Sequence, residues 1–166
     1  MKLQDTLRNS EQHLEDTEKI RVYLCGVTVY DESHIGHART IIVFDVLRKY
    51  LESKGRKIEF IQNFTDVDDK IINKANEENT TAEKISTRYI ENYFRDFDGL
   101  NVKRATNYPK ATEHIEDIVK FIEKLIGKGI AYVSKNGVYF AVTKFPEYGK
   151  LSKKKIDELQ SGSRIQ

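Results

Sequence analysis

Hydrophobic and polar positions follow two different periods along the first part of the chain. Residues 21–29 are rich in β-branched and aromatic side chains, which predicts a strand. From about residue 36 to 53, apolar residues return every three or four positions, which predicts a helix that Gly55 terminates. Residues 57–64 predict a second strand. A strand, a helix and a strand in this order form a βαβ unit, which implies parallel strands and a right-handed crossover.

The rest of the chain is predicted to be mainly helical and then to form a hairpin. Thr65 and Asp66 are typical N-cap residues, and we expect a long helical stretch from about residue 67 to 97. Residues 112–128 predict an amphipathic helix, and residues 130–142 predict a β-hairpin with an Asn-Gly turn. The apolar residues of the amphipathic helix are expected to form a buried stripe: Ile115, Ile118, Val119, Ile122, Leu125 and Ile126.

Composition restricts the class of protein. The chain has 166 residues, of which 39% are apolar and 33% charged, so it is long enough for one globular domain or one domain and part of another. It has one cysteine, which cannot form an internal disulfide, and no apolar run approaches the roughly 20 residues of a membrane span. The polar N-terminus does not resemble a secretory signal, so a cytoplasmic location is expected. A net charge of +2 does not by itself indicate a nucleic-acid partner.

The candidate chemistry is concentrated between the first strand and the first helix, in CGVTVYDESHIGH (residues 25–37). This junction is where α/β folds bind nucleotides, because imidazole donors and helix N-terminal amides can stabilise phosphate charge. Gly36 has no Cβ and would let a nucleotide approach the backbone. The residues also permit two other interpretations. His34 and His37 could be surface histidines, or they could ligate zinc together with Cys25.

The segment resembles the signature of the cysteinyl-tRNA synthetases, with His34-Ile35-Gly36-His37 matching the HIGH motif of class I synthetases. Four further blocks resemble that family in the same order: NFTDVDDK (63–70), FDGLN (97–101), ATEHI (111–115) and YGKLS (148–152). The resemblance implies an α/β chain. Residues 1–108 would be the first half of a Rossmann-type parallel-sheet catalytic domain, and residues 109–166 the incomplete start of an inserted α+β connective-peptide domain.

The resemblance also implies an activity. Cysteine would be activated by ATP, with Mg²⁺, to cysteinyl-adenylate and then transferred to tRNA(Cys). Catalysis would fall to His34 and His37, and the ATP-binding residues would be His34, Ile35, Gly36 and His37. The amino-acid-binding residues would be Cys25, Gly26, Thr28, Tyr30 and Thr65. Cys25 would also ligate zinc, which prefers thiolate and so separates cysteine from serine.

The family's other zinc ligands and its second signature, KMSKS, would belong to a C-terminal part of the enzyme that this chain lacks, so the chain alone is expected to be inactive. The KLSKK segment (residues 150–154) is similar to KMSKS, but it directly follows the hairpin, and we interpret its lysines as surface residues.

Structural interpretations stay open for three candidate residues. Cys25 could be a small buried strand residue, Tyr30 a core tyrosine and Asp66 a helix cap. Two other functions also stay open. One is a cysteine–amino-sugar ligase of low-molecular-weight thiol biosynthesis, and the other is a non-catalytic module that binds ATP or a protein.

Overall fold

The computed structural model describes residues 1–15 and 17–154, which fall into two compact units. One unit is Thr17–Ile115, and the other combines residues from the two ends of the chain. The predicted domain boundary after residue 108 stays a prediction. The last part of the predicted connective peptide, residues 155–166, lies outside the described residues.

Helices and strands are mixed along the described part of the chain. In chain order they are β1 (Lys2–Asp5), β2 (Ser10–His13), β3 (Lys19–Thr28), α1 (Ile35–Ser53), β4 (Lys57–Thr65), α2 (Asp69–Glu77), α3 (Ala82–Gly99), a 3₁₀ turn (Ala111–His114), α4 (Ile115–Gly127), β5 (Ala131–Ser134), β6 (Gly137–Phe140) and a second 3₁₀ turn (Val142–Lys144). Among these, no helix is long and apolar enough to cross a membrane.

The larger unit is built on the predicted βαβ arrangement. Strands β3 and β4 pair in parallel, in a register that runs from Lys19 opposite Lys57 to Thr28 opposite Thr65. The backbone after α3 returns to the free edge of β4, where Asn107 and Lys110 form isolated parallel bridges. The carboxyl ends of the two strands therefore lie side by side, which is the position where open α/β sheets bind ligands.

The core of this unit covers one face of the two strands. Alternate residues of β4 (Phe60, Gln62 and Phe64) are buried, as the two-residue period of a strand requires. Gln62 accepts a hydrogen bond of 2.9 Å from the Tyr93 hydroxyl, so this buried polar pair is satisfied. The clustered core side chains are Leu24, Val29, Ile41, Phe60, Phe64, Ile71, Ala75, Ile85, Tyr89, Tyr93 and Phe97.

The start of α2 differs from the prediction. Strand β4 continues to Thr65, and the N-cap of α2 is Asp68, whose side chain accepts from the Lys70 N–H at 2.9 Å. The capping role expected for Thr65 and Asp66 is therefore wrong. Asp66 is buried instead, and it accepts hydrogen bonds from the backbone N–H and the hydroxyl of Thr112. This carboxylate ties the end of β4 to the 3₁₀ turn.

The predicted helical stretch over residues 67–97 is two helices. It is interrupted after Glu77 by Asn79, which has a positive φ of 51°, and it restarts with Thr81 as the N-cap of α3. The two helices pack against each other, and both contribute to the core. A polar Asn in a left-handed conformation is a local signal for such a break.

The other unit contains two antiparallel hairpins and α4. The β5–β6 hairpin was predicted from its Asn-Gly pair, and the structure has the hairpin with Lys135 and Asn136 in the turn and Gly137, at a positive φ of 147°, as the first residue of β6. The buried stripe expected on α4 is wrong among the described residues. None of its six residues is buried: Ile115, Ile118 and Val119 are 47%, 44% and 48% exposed, and Ile122, Leu125 and Ile126 are half-buried.

Candidate active site at the carboxyl ends of two parallel strands

A β-bulge interrupts β3 at the predicted site cysteine. Leu24 lies opposite Gln62 and Val27 opposite Phe64, so Cys25 and Gly26 together lie opposite one residue, Asn63. The extra residue keeps Leu24 and Val27 on the core side of the sheet and leaves Cys25 exposed. The interpretation of Cys25 as a buried strand residue is therefore wrong.

Gly26 is required by the close approach of the two strands at the bulge. A Cβ on this residue would lie 1.4 Å from the backbone oxygen of Asn63. The N–H of Gly26 donates to Oδ1 of Asn63 at 2.8 Å, and the Tyr23 hydroxyl donates to the same oxygen at 2.8 Å. Asn63 is not among the site residues predicted from the sequence. The signal was an asparagine inside a strand, where this residue type is uncommon.

The two predicted catalytic histidines form a capping box at the start of α1. Nδ1 of His34 accepts from the Gly36 N–H at 3.1 Å, and Nδ1 of His37 accepts from the His34 N–H at 3.3 Å. The two rings stack with their centroids 3.7 Å apart. Because Nδ1 accepts a hydrogen bond in both rings, the N–H donor of each ring is Nε2. Each histidine therefore keeps one N–H donor that the cap does not use.

The pKa of His37 lies below its ordinary value. The larger cause is desolvation by burial, and the nearby His34 adds a repulsion that disfavours the charged ring. His37 is therefore neutral at pH 7, which is the state that the capping box requires.

Gly36 serves this same arrangement. A Cβ on Gly36 would lie 2.8 Å from Cε1 and 2.9 Å from Nδ1 of His34. The glycine thus makes room for the ring of His34 to return over the helix start and accept from the backbone. The sequence predicted only that Gly36 lets a nucleotide approach the backbone. The contact with the ring of His34 is a second reason for a glycine at this position. Ile35 points away from these contacts, with 87% of its surface exposed.

A cavity of about 290 Å³ lies beside the two histidines. Thr28 and Tyr30 line it together with His34 and His37, as do Asp31, Glu32 and Lys70, which the sequence analysis did not assign to the site. Tyr30 is half-buried and packs on the core as well as lining the cavity, and its role in binding an amino acid stays a prediction.

The segment that precedes the histidines is held by the helices behind it. Nζ of Lys70 lies 5.0 Å from the centre of the Tyr30 ring, and Glu32 accepts from Asn92 at 2.6 Å. Lys74 forms an ion pair of 3.5 Å with Asp31. These contacts position one wall of the cavity from α2 and α3, outside the motif that identified the site.

The remaining candidate residues lie along the two strands. Thr65 is opposite Thr28, and its carbonyl oxygen accepts from the N–H of Val29 at 3.3 Å. Cys25 and Gly26 lie further back at the bulge and do not line the cavity. The structure therefore places the histidines, Thr28 and Tyr30 together, whereas Cys25, Gly26 and Thr65 lie along the adjacent strand pair.

No cluster of three or more His, Cys, Asp or Glu side chains suited to a metal ion occurs in the part of the chain that the structure describes. Zinc needs about four ligands at a structural site, or three and an open position at a catalytic one. The described residues thus do not fit a complete zinc site, and Cys25 could provide only one thiolate ligand. The interpretation in which both histidines and Cys25 ligate zinc together has no support in this geometry.

The chain is similar in sequence to known proteins and to a protein-family model. A family model described as "tRNA synthetases class I (C) catalytic domain" matches residues 11–166. Proteins named cysteine–tRNA ligase from Caldicellulosiruptor saccharolyticus and Thermodesulfovibrio yellowstonii are 52% and 54% identical over 99% and 90% of this chain. The chain spans only 36% and 31% of their lengths.

Among solved structures, the Mycobacterium tuberculosis methionyl-tRNA synthetase in complex with methionyl-adenylate is similar, with a TM-score of 0.64. The match covers 70% of this chain and 23% of that one, at 16% identity. A likeness at this level of identity concerns the fold.

Proposed function

The chain belongs to the family of class I (C) tRNA synthetase catalytic domains, and on this premise we propose that it takes part in the ATP-dependent ligation of cysteine to tRNA(Cys). The predicted α/β class I synthetase fold is confirmed by the family match and by the solved structure of similar fold. Because the chain spans about a third of those relatives, it would supply the N-terminal portion of such an enzyme. The observation that carries the proposal is the pair of free Nε2 donors at the cavity beside the strand ends.

The proposed role of the histidines follows from the first chemical step. When the carboxylate of cysteine attacks the α-phosphate of ATP, negative charge increases on the phosphoryl oxygens. Neutral imidazole N–H groups that are already oriented stabilise this charge without reorganisation at the moment of reaction. His34 and His37 would donate from Nε2, since both Nδ1 atoms are engaged in the cap. Mg²⁺ would accompany the ATP as its counter-ion.

The proposed amino-acid site lies along the adjacent strands. Thr28 and Thr65 are neighbours in the register, and Cys25 is exposed on the strand that carries Thr28. Tyr30 lines the cavity between these strands and the histidines. We propose that cysteine lies along Cys25, Gly26, Thr28, Tyr30 and Thr65, with its carboxylate directed toward the histidines.

Zinc is part of the proposal only through Cys25. A bound zinc ion would supply selectivity for thiol over hydroxyl, because it prefers thiolate as a ligand. The other ligands would come from sequence that corresponds to the remaining two thirds of the relatives.

We expect the 166-residue chain alone to bind zinc weakly, because one thiolate cannot hold the ion against a chelator. The measurement is the zinc content after purification and dialysis against EDTA, with Cys25→Ser as the control. Substoichiometric zinc is expected for both proteins. One tightly held zinc ion per wild-type chain that the serine variant lacks would contradict the expectation.

Pyrophosphate exchange tests the proposed function directly. The product of the complete reading frame that encodes this chain is expected to exchange pyrophosphate into ATP when cysteine is present. Its preference for cysteine over serine should exceed the roughly 200-fold that packing alone achieves. Equal exchange with serine, or no exchange with either amino acid, would refute the proposal, and the second result is what a non-catalytic module predicts.

The second chemical step, in which the activated cysteine is transferred, identifies the molecule that accepts it. The proposed enzyme is expected to charge tRNA(Cys) after the adenylate forms. Transfer of cysteine to an amino-sugar, with no charging of tRNA, would support the alternative ligase of low-molecular-weight thiol biosynthesis.

A further inference from the structure

We propose that Asn63 is a positioning residue for the amino-acid end of the site, where its side-chain amide holds the Cys25-Gly26 bulge against β4. The inference rests on the proposed function for the identity of the ligand. The contacts that support the inference lie within the strand pair and do not depend on the proposed function. No motif interpretation assigned a role to Asn63, although it lies two residues before Thr65 and directly opposite the bulge.

The bulge at Cys25 and Gly26 needs a hydrogen bond that the regular strand ladder does not provide. An extra residue in a strand removes regular ladder partners at that point. The N–H of Gly26 is satisfied by the side chain of Asn63, whose Oδ1 accepts at 2.8 Å. The hydrogen bond between the Gly26 N–H and the side chain of Asn63 therefore keeps the adjacent Cys25 on the exposed face of the strand.

The side-chain amide of Asn63 contacts residues on both sides of Cys25. Its Oδ1 accepts from Gly26 N and from the Tyr23 hydroxyl, each at 2.8 Å. Its Nδ2 donates to Oγ1 of Thr65 at 3.5 Å. The side chain thus connects Gly26, the residue next to Cys25, with Thr65, and these two residues of the proposed cysteine site lie on different strands.

The face of β4 on which Asn63 lies indicates which substrate its loss would affect. On β4 the core side chains are Phe60, Gln62 and Phe64, so Asn63 and Thr65 belong to the opposite face of the strand. The exposed Cys25 also lies away from the core. Asn63 therefore stands among the residues that would contact cysteine, and the capping box that would hold ATP makes no contact with it. Its loss should affect the use of cysteine more than that of ATP.

The kinetic test compares two variants of the product of the complete reading frame. Asn63→Ala removes all three hydrogen bonds, and Tyr23→Phe, the matched control, removes one bond to the same oxygen but leaves the Gly26 contact. We expect Asn63→Ala to raise the KM for cysteine by about tenfold or more, with the KM for ATP within about twofold of wild type. Tyr23→Phe should leave both values within about twofold. An equal rise in the two KM values would overturn the proposal, because it would indicate general destabilisation.

A second measurement decides the contact independently of catalysis. Hydrogen exchange of the Gly26 amide, followed by NMR in the 166-residue chain, is expected to be at least about tenfold faster in Asn63→Ala than in wild type. Asn63→Asp keeps the acceptor in the same place and should restore protection. Unchanged Gly26 exchange in Asn63→Ala would overturn the positioning role.

The two measurements separate the failure of each proposal. A wild-type protein without cysteine-dependent exchange would refute the proposed function, while the Gly26 amide would still report whether Asn63 holds the bulge. An active wild type whose Asn63→Ala variant keeps its KM for cysteine would refute the positioning role alone.

Discussion

Replacing both His34 and His37 by alanine is expected to lower cysteine-dependent pyrophosphate exchange by about 10³-fold or more, since removal of one preorganised donor to a developing negative charge costs about 10²–10³-fold. The donors at stake are the two Nε2–H groups, which the capping box leaves free. The loss should appear mainly in kcat, because the charge develops on the way to the transition state. The measurement is the exchange rate of the complete gene product at saturating ATP and cysteine.

The alanine variant also removes a helix cap, which is worth about 1 kcal/mol of stability, so a second variant is needed. His34→Ser places a strong capping residue at the N-cap, and together with His37→Ala it leaves no N–H donor at the position of either Nε2 atom. The Ser/Ala double variant should keep a melting temperature close to that of the wild type and still lose exchange as the alanine variant does. If it retained exchange within a few-fold of wild type, the histidines would be caps only, and their catalytic role would be wrong.

Gly26→Ala is expected to destabilise the chain by at least about 3 kcal/mol or to prevent folding, at the upper end of the cost of overpacking. The added Cβ would lie 1.4 Å from the backbone oxygen of Asn63, and no rotamer can move a Cβ away. Strands β3 and β4 would have to separate at the bulge, near the carboxyl end of the parallel pair that organises the larger unit. The measurement is urea unfolding of the 166-residue chain followed by circular dichroism.

Gly99→Ala is the matched control for this prediction. Gly99 is the last residue of α3, and a Cβ there would meet nothing within 4 Å. We expect this variant to be neutral or to gain up to about 1 kcal/mol, because alanine loses less backbone freedom on folding than glycine does. Equal unfolding midpoints for the two variants would show that the strands at the bulge can move apart without cost.

The elements that the sequence predicted well are those whose signal is local. The apolar period of residues 36–53 predicted α1, and the β-branched runs on either side predicted the parallel strands. The β1–β2 hairpin was not predicted, because its strands, KLQD and SEQH, lack the alternation of apolar and polar residues that identifies a strand. The burial of Asp66 was also missed, because its partner Thr112 is 46 residues away along the chain.

The local sequence is enough to bring the candidate residues together at the start of α1 and to indicate the family of the chain. Spacing alone brings His34, Gly36 and His37 into one helical turn, because a capping box needs only contacts between residues that are two or three positions apart. The position of Cys25, by contrast, depends on the pairing of β3 with β4. The bulge depends on a side chain from the other strand, 37 residues away, and a contact over that separation exists only after β3 and β4 have paired.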